Sequence, residues 1–548
     1  MRRLALVLVL LAASAQAAPP KLIVVVSIDQ FPSYYLERYA NVIGEDGFKR
    51  LTREGTFFVN SAYPYANTFT GPGHASIGTG HTPAESGIVA NNWYVWTQDG
   101  RMERVYCAQD DNAEPVPPID DPKIRKDNSR SPLNLSAAGL GDRLQEKDRQ
   151  SKVYSVSLKD RAAILMGGRK AWGAFWFDGR VKRFMTSTYY SHRLETLVAG
   201  FNKTLPARVK KEMYWDLDEK TKAAKVFDPE DLRKGVKSDK YGLGVEFRHP
   251  IRDLDALTYT PYGNDLVLDL ARAIIRGEQL GADAHPDILF VSLSSTDYLG
   301  HAFGPDSWEA ADSVVRTDRQ LAKFFAELRK QFGGSVTVAV TADHGVQSIP
   351  VIAMRKSHTY ADRVNMETPE SQPRKDLEAD AARRLGASAP LNLIRLFDEG
   401  AFYLDFSKLP GGVDAEQARR AYRDSARAMA GVADAFTSEQ LAMPNPSPSA
   451  VERAVRNSFR RDRSGDVLVE LKAGYIWDYD GLGTTHGQPV PDDQRVPVML
   501  WGAGIVHGDE ACAAGPASPL DLARTLGKLV GVDAGGKLSN DLACARTK

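Results

Sequence analysis

Lys21-Leu22-Ile23-Val24-Val25-Val26-Ser27-Ile28-Asp29 is a largely apolar, β-branched run closed by a carboxylate. A strand with one face in water alternates apolar and polar residues. This run is apolar on both faces, which suits a central strand covered by helices on either side. Working outward, regular alternation at Lys152–Leu158, which ends in Lys159-Asp160-Arg161, predicts a second buried strand, and Asp287–Leu293, followed by Ser294-Ser295-Thr296-Asp297-Tyr298-Leu299-Gly300-His301, a third central one. A fourth is expected at Val336–Thr341, ending in Asp343-His344-Gly345, and the last at Val496–Trp501. Helical patterns lie between them. Asn264-Asp265 predicts the cap of a helix with Val267, Leu270, Ala271 and Ile274 on one stripe, a long helix is expected from about Ser307 to Gln331, and a terminal one from about Pro519. The alternation predicts an α/β fold with a central, mostly parallel sheet flanked by helices on both faces. In such a sheet the C-terminal ends of the strands share one edge, where open α/β proteins hold their ligands.

That edge collects chemistry. Asn67-Thr68-Phe69-Thr70-Gly71-Pro72-Gly73-His74 places a hydroxyl before glycines that lead into a helix, where backbone N–H groups meet anions. No Gly-Lys-Ser/Thr follows, so this is not a nucleotide P-loop. Asp297 and His301, four apart, share one side of a helical turn. Taken singly, each feature has an ordinary reading: a Thr cap, a strand-ending Asp, a surface Lys-x-Arg, a turn Asn at Asn91. Taken together, Asp29, Asp297, His301, Asp343, His344 and His486 supply three carboxylates and three imidazoles for two ions. Nitrogen and oxygen donors without thiolate suit Zn²⁺, with Mn²⁺ or Co²⁺ as alternatives. Lys159 and Arg161 add positive charge, giving a pocket for a multiply charged anion.

The 548 residues carry 70 basic and 70 acidic side chains, so no overall charge draws the chain to nucleic acid or to an anionic membrane. Met1-Arg2-Arg3, the apolar Leu4–Leu11 run and Ala15-Gln16-Ala17 read as an export signal over residues 1–17. No segment approaches the ~20 apolar residues of a membrane span. A periplasmic or secreted location is therefore expected. Residues 18–548 read as a single catalytic domain with cap-like insertions at about 95–150, 179–262 and 346–482. Of the three cysteines, Cys512 and Cys544 are the pair favoured by sequence separation, leaving Cys107.

These motifs resemble the alkaline phosphatase superfamily, most closely the phosphate-irrepressible, Thr-nucleophile alkaline phosphatases of Gram-negative bacteria, relatives of the type I phosphodiesterase/nucleotide pyrophosphatases. The resemblance is carried by Ser27-Ile28-Asp29, Thr70-Gly71-Pro72-Gly73-His74-Ala75, Gly87-Ile88-Val89-Ala90-Asn91-Asn92, Lys159-Asp160-Arg161, Asp297-Tyr298-Leu299-Gly300-His301, Asp343-His344-Gly345 and Thr485-His486-Gly487. It implies an alkaline-phosphatase-like fold and a phosphomonoesterase of broad range, with Thr70 the nucleophile and phosphate the product. It further implies one Zn²⁺ on Asp29, Asp343, His344 and Thr70, the other on Asp297, His301 and His486, and phosphoryl oxygens held by Asn91, Lys159 and Arg161. A monomer is compatible with this reading. The alternatives are a phosphodiesterase or nucleotide pyrophosphatase on the same metals, a sulfatase, disfavoured because Thr70 cannot become formylglycine, and a non-catalytic phosphate- or metal-binding protein.

Overall fold

The computed structural model describes residues 19–227 and 241–547. The export-signal reading at residues 1–17 and part of the 179–262 insertion lie outside these residues. A nine-stranded mixed sheet runs through the molecule in the order Thr56–Phe58, Val498–Gly502, Val336–Thr341, Leu22–Ile28, Asp287–Leu293, Val153–Ser157, Gly173–Asp178, Arg183–Ser187, Pro115–Val116. From Val336–Thr341 to Gly173–Asp178 all neighbours are parallel. The strands outside this block pair antiparallel.

The opening run shows why the sheet is central. Leu22, Val24, Val26 and Ile28 face a core that includes Leu266, Leu270 and Ile274 of helix Tyr262–Gly277 and Leu321, Phe324 and Phe325 of helix Trp308–Phe332. Ile23 and Val25 face the opposite core, with Ile77, Leu140, Met166, Leu522 and Leu526. Period-two alternation sends apolar side chains into both layers, so every residue of this strand is buried. Residues 346–482 hold a smaller antiparallel sheet, ordered Ile394–Asp398, Ala401–Leu404, Val467–Leu471, Val432–Thr437, with its own core of Phe397, Phe402, Tyr422, Val469 and Trp477.

Several local expectations change. Helix Tyr262–Gly277 begins before Asn264, whose side chain is buried and donates to Thr317 Oγ1 at 3.2 Å instead of capping. The last core strand is antiparallel to Val336–Thr341. Residues 95–150 are more than a surface insertion, because Pro115–Val116 joins the central sheet and Leu140 and Leu144 enter its core. Their polar, proline-broken composition hides a few short buried stretches.

Cys512 and Cys544 form a disulfide across a sequence separation of 32, and Cys107 is free and buried. A closed loop of that length restricts the unfolded chain by about 3–4 kcal/mol. Replacing both cysteines by Ala is expected to lower the unfolding free energy by that order, read from denaturant unfolding as a lower extrapolated stability, with the slope rising as the unfolded chain expands; an unchanged stability would mean that this loop is constrained by packing alone.

Candidate active site

Strand register gathers the carboxylates. Ser27 lies beside both Ser292 and Thr341, so the residues just beyond them, Asp29, Asp343 and the helix Ser295–Phe303 that carries Asp297 and His301, meet at one edge. Asp29 N–H donates to Leu293 O at 3.0 Å, and Gln30 N–H to Asp343 Oδ1 at 3.1 Å. Gln30 has φ 58 and its amide donates to Asp297 Oδ1 at 2.9 Å, tying two of the three carboxylates into one hydrogen-bonded unit. It packs so closely on Gly300 that a Cβ there would lie 1.6 Å from Gln30 Oε1, which is why the helix between Asp297 and His301 carries glycine.

His486 comes from a loop, not from a strand end as the sequence pattern suggested. Thr484 N–H donates to His301 O at 3.0 Å, and His486 Nδ1 lies 2.7 Å from Thr68 O. His301 Nδ1 is 2.9 Å from Thr484 O, and His344 Nδ1 is 3.0 Å from Gly345 O. Each of the three rings thus donates Nδ1–H to a backbone carbonyl, leaving the Nε2 lone pair to face the carboxylates, as in ring orientations that ligate metals. His344 Nε2 is 3.5 Å from Asp29 Oδ1 and 3.3 Å from Asp343 Oδ2. His301 and His486 Nε2 lie 3.3 and 3.6 Å from Asp297 Oδ1.

Two sets of donor atoms, Asp29–Asp343–His344 and Asp297–His344–His486, each lie within 4.8 Å of one another. His344 is common to both, and His301 joins the second through Asp297 at the rim, its side chain 30% exposed. Among the described residues Asp29 Oδ1 is buried without a hydrogen bond. Burial and the neighbouring Asp343 push Asp29 well above the usual carboxylate range, against the pull of Lys159. Despite its own burial, Asp297 is held well below that range by Lys159 and His301, and burial pulls His344 down to about 3 in spite of Asp343. Imidazoles that present Nε2 and crowded carboxylates with an unused oxygen form a donor set that fits divalent cations.

Thr70 opens the helix Thr70–Thr79, which follows a loop. Its Oγ1 is 3.5 Å from His344 Nε2, 3.4 Å from Lys159 Nζ and 3.4 Å from Arg161 Nη2. The alternative hydroxyl, on Thr68, donates to Gln488 O at 3.3 Å and is fully buried. Lys159 and Arg161 flank the start of helix Asp160–Gly167. Lys159 Nζ spans Asp29 Oδ2 at 2.7 Å and Asp297 Oδ2 at 2.6 Å. Arg161 Nη1 lies 3.5 Å from the Tyr106 hydroxyl, which donates to Asp160 at 2.6 Å, and its buried Nε has no partner among the described residues. Asn91 reaches the same place from the start of strand Asn92–Trp96, accepting the Gly71 N–H at 2.8 Å. Beside Lys159 and Arg161 opens a cleft of about 930 Å³ lined also by Tyr106, Arg130, Tyr259 and Tyr298.

Two residues of this neighbourhood escaped sequence reasoning. Gln30 sits beside the Asp29 motif; His74, which the sequence reads as helix packing inside the Thr70 motif, has its Nδ1 3.1 Å from Asp343 Oδ2 and 2.9 Å from Thr70 O. Glu399, from the small sheet, had no local signal.

The family model described as "Type I phosphodiesterase / nucleotide pyrophosphatase" matches residues 23–492. The chain is 32% identical over 521 residues to alkaline phosphatase PafA of Elizabethkingia meningoseptica, covering 93% of this chain and 91% of the relative. It is 33% identical over 509 residues to alkaline phosphatase PhoV of Synechococcus elongatus, covering 90% and 87%. The crystal structure of wild-type PafA matches with a TM-score of 0.83 at 31% identity, covering 97% of this chain and all of that one.

Proposed function

The chain belongs to the type I phosphodiesterase/nucleotide pyrophosphatase family, and from that premise we propose an exported, two-zinc alkaline phosphatase that hydrolyses phosphate monoesters through a phosphothreonine intermediate. The observation that carries this reading is the Thr70 hydroxyl, set at a helix N-terminus within 3.5 Å of His344, Lys159 and Arg161 and beside both donor sets. Asp29, Asp343, His344 and Thr70 would hold one ion, and Asp297, His301 and His486 the other. When bound, the ions supply the acidity that lets a hydroxyl react as an alkoxide and the positive charge that meets the leaving oxygen.

The chain's own groups do the rest. The Nε2 of His344 would be taken up by the ion, and both ring nitrogens of His74 are engaged, by Thr70 O and by Ser292, so neither ring stands as a base toward Thr70. Thr70 Oγ attacks phosphorus as its proton leaves to solvent, the Oγ–P bond forms, and the P–O bond breaks, the leaving oxygen taking a proton from water to depart as the alcohol or phenol. Asn91, Lys159 and Arg161 bind the non-bridging oxygens, at the N-terminal end of helix Thr70–Thr79, whose dipole favours negative charge. Water then cleaves the Oγ–P bond from the opposite side, releasing phosphate and restoring the hydroxyl. The cleft beside Arg161 accommodates organic groups of different size, which supports a broad range of esters. The Cys512–Cys544 disulfide, a feature of oxidising compartments, supports export to the periplasm or beyond.

Elemental analysis of the purified protein is expected to give about two zinc ions per chain. Strong chelator should abolish turnover, and zinc added back should raise Tm as well as activity, since an ion that binds only the folded state stabilises it. A single bound ion, or full activity in chelator, removes the two-metal reading.

A further inference from the structure

The small sheet reaches the active site through one hairpin. Strand Ile394–Asp398 returns as Ala401–Leu404 through only Glu399 and Gly400, with φ of 47 and 86. A two-residue turn with both φ positive is of type I′, whose first position favours Asn, Asp or Gly. Glu399 therefore occupies a backbone conformation that suits other residues better. Burial, then the neighbouring Asp398, pushes its carboxyl up to about 8. A side chain kept in place against both costs calls for a specific contact.

That contact is Asn91. Glu399 Oε2 accepts the Asn91 backbone N–H at 3.1 Å, and Oε1 accepts the side-chain amide N–H at 3.2 Å. Asn91 Oδ1 in turn accepts the N–H of Gly71, the residue after Thr70, at 2.8 Å. The carboxamide is thus held at both ends. A primary amide has two N–H donors, and with one on Glu399 and the oxygen on Gly71, the second is left for a ligand. A second contact locks the hairpin to this spot: Tyr403 packs edge-on against Tyr94, ring centroids 5.3 Å apart, and its hydroxyl accepts the Tyr94 N–H at 3.4 Å.

We propose that Glu399 is a positioning residue for phosphoryl binding, fixing the Asn91 amide so that its free N–H meets an oxygen of the phosphoryl group attached to Thr70. The inference rests on the reading of Asn91 as a phosphoryl ligand. It gives the inserted sheet a part in the chemistry, since its turn tip supports a group on the central domain 308 residues away in sequence.

Glu399→Gly and Glu399→Asn both suit the turn, so they separate function from folding. Each is expected to lower kcat/KM for an aryl phosphate monoester roughly tenfold, as loss of an orienting partner does, while Tm is unchanged or raised. In an Asn91→Ala background the same Glu399→Gly change is expected to cost less than about twofold, because a residue that acts through Asn91 has nothing left to orient. Unchanged kcat/KM in both Glu399 variants, a loss explained by lowered Tm, or an equal loss with and without Asn91 would overturn the proposal. Asn91→Ala on its own distinguishes the premise: if it leaves monoester hydrolysis intact, the phosphoryl-binding reading of Asn91 fails, whereas an impaired Asn91→Ala with fully active Glu399 variants overturns only the role of Glu399.

Discussion

Thr70→Ala is expected to lower turnover of an aryl phosphate monoester by roughly three to six orders of magnitude, the scale seen when a covalent nucleophile is removed, with Tm preserved. The fold should survive because the Thr70 side chain is the first of its helix, caps nothing and contributes one methyl group to packing. What is lost is the atom that His344, Lys159 and Arg161 surround at 3.4–3.5 Å. An acid quench of the wild type during turnover should trap phosphate on Thr70. Labelling elsewhere, or undiminished turnover in the variant, means that the nucleophile is another group. Thr68 is poorly placed for that role, since its hydroxyl is bound to Gln488 O.

The parts of this site that were legible in the sequence are those whose signal is local. Asp29, Asp343 and Lys159 each follow a stretch rich in Val and Ile or alternating Val with Ser and Thr, and that stretch both announces the strand and fixes the edge at which the polar residue emerges. Asp297 and His301 are legible because helical spacing alone puts them on one side. His486 gave its residue type but not its setting: it stands in a loop whose position depends on Thr68 O and His301 O, far away in sequence. Glu399 gave nothing. Glu-Gly between two short strands is an ordinary turn until the folded chain lays it against Asn91, and no periodicity encodes that pairing. The antiparallel course of Val498–Gly502 was hidden for a related reason, since burial of both faces makes a strand apolar whichever way it runs.

The largest difference between substrates is expected from Lys159 and Arg161. A phosphate monoester dianion presents three non-bridging oxygens; a diester presents two, with a carbon group in place of the third. Asn91 supplies a neutral donor, the N-terminal end of the Thr70 helix a favourable dipole, and the cations answer the extra charge. Arg161 is built to do so: Tyr106, itself held by Asp160, steadies its guanidinium, one nitrogen reaches Thr70 Oγ1, and its buried Nε is unpartnered among the described residues. Two charge-assisted contacts at about 2–3 kcal/mol each correspond to roughly three to four orders of magnitude in rate. Lys159→Ala with Arg161→Ala is accordingly expected to cut kcat/KM for an aryl monoester by that factor, and for the matching diester by no more than about tenfold. Lys159 also touches Asp29 and Asp297, so its loss could disturb the donor sets directly. Arg161→Ala alone avoids that path, because Arg161 has no hydrogen bond or ion pair to these carboxylates, and with zinc content unchanged it should still lower monoester hydrolysis selectively, by one to two orders of magnitude. Equal losses on both esters in the Arg161 variant would make the cation a contributor to uniform binding or folding, and the diesterase reading of the site would then gain ground.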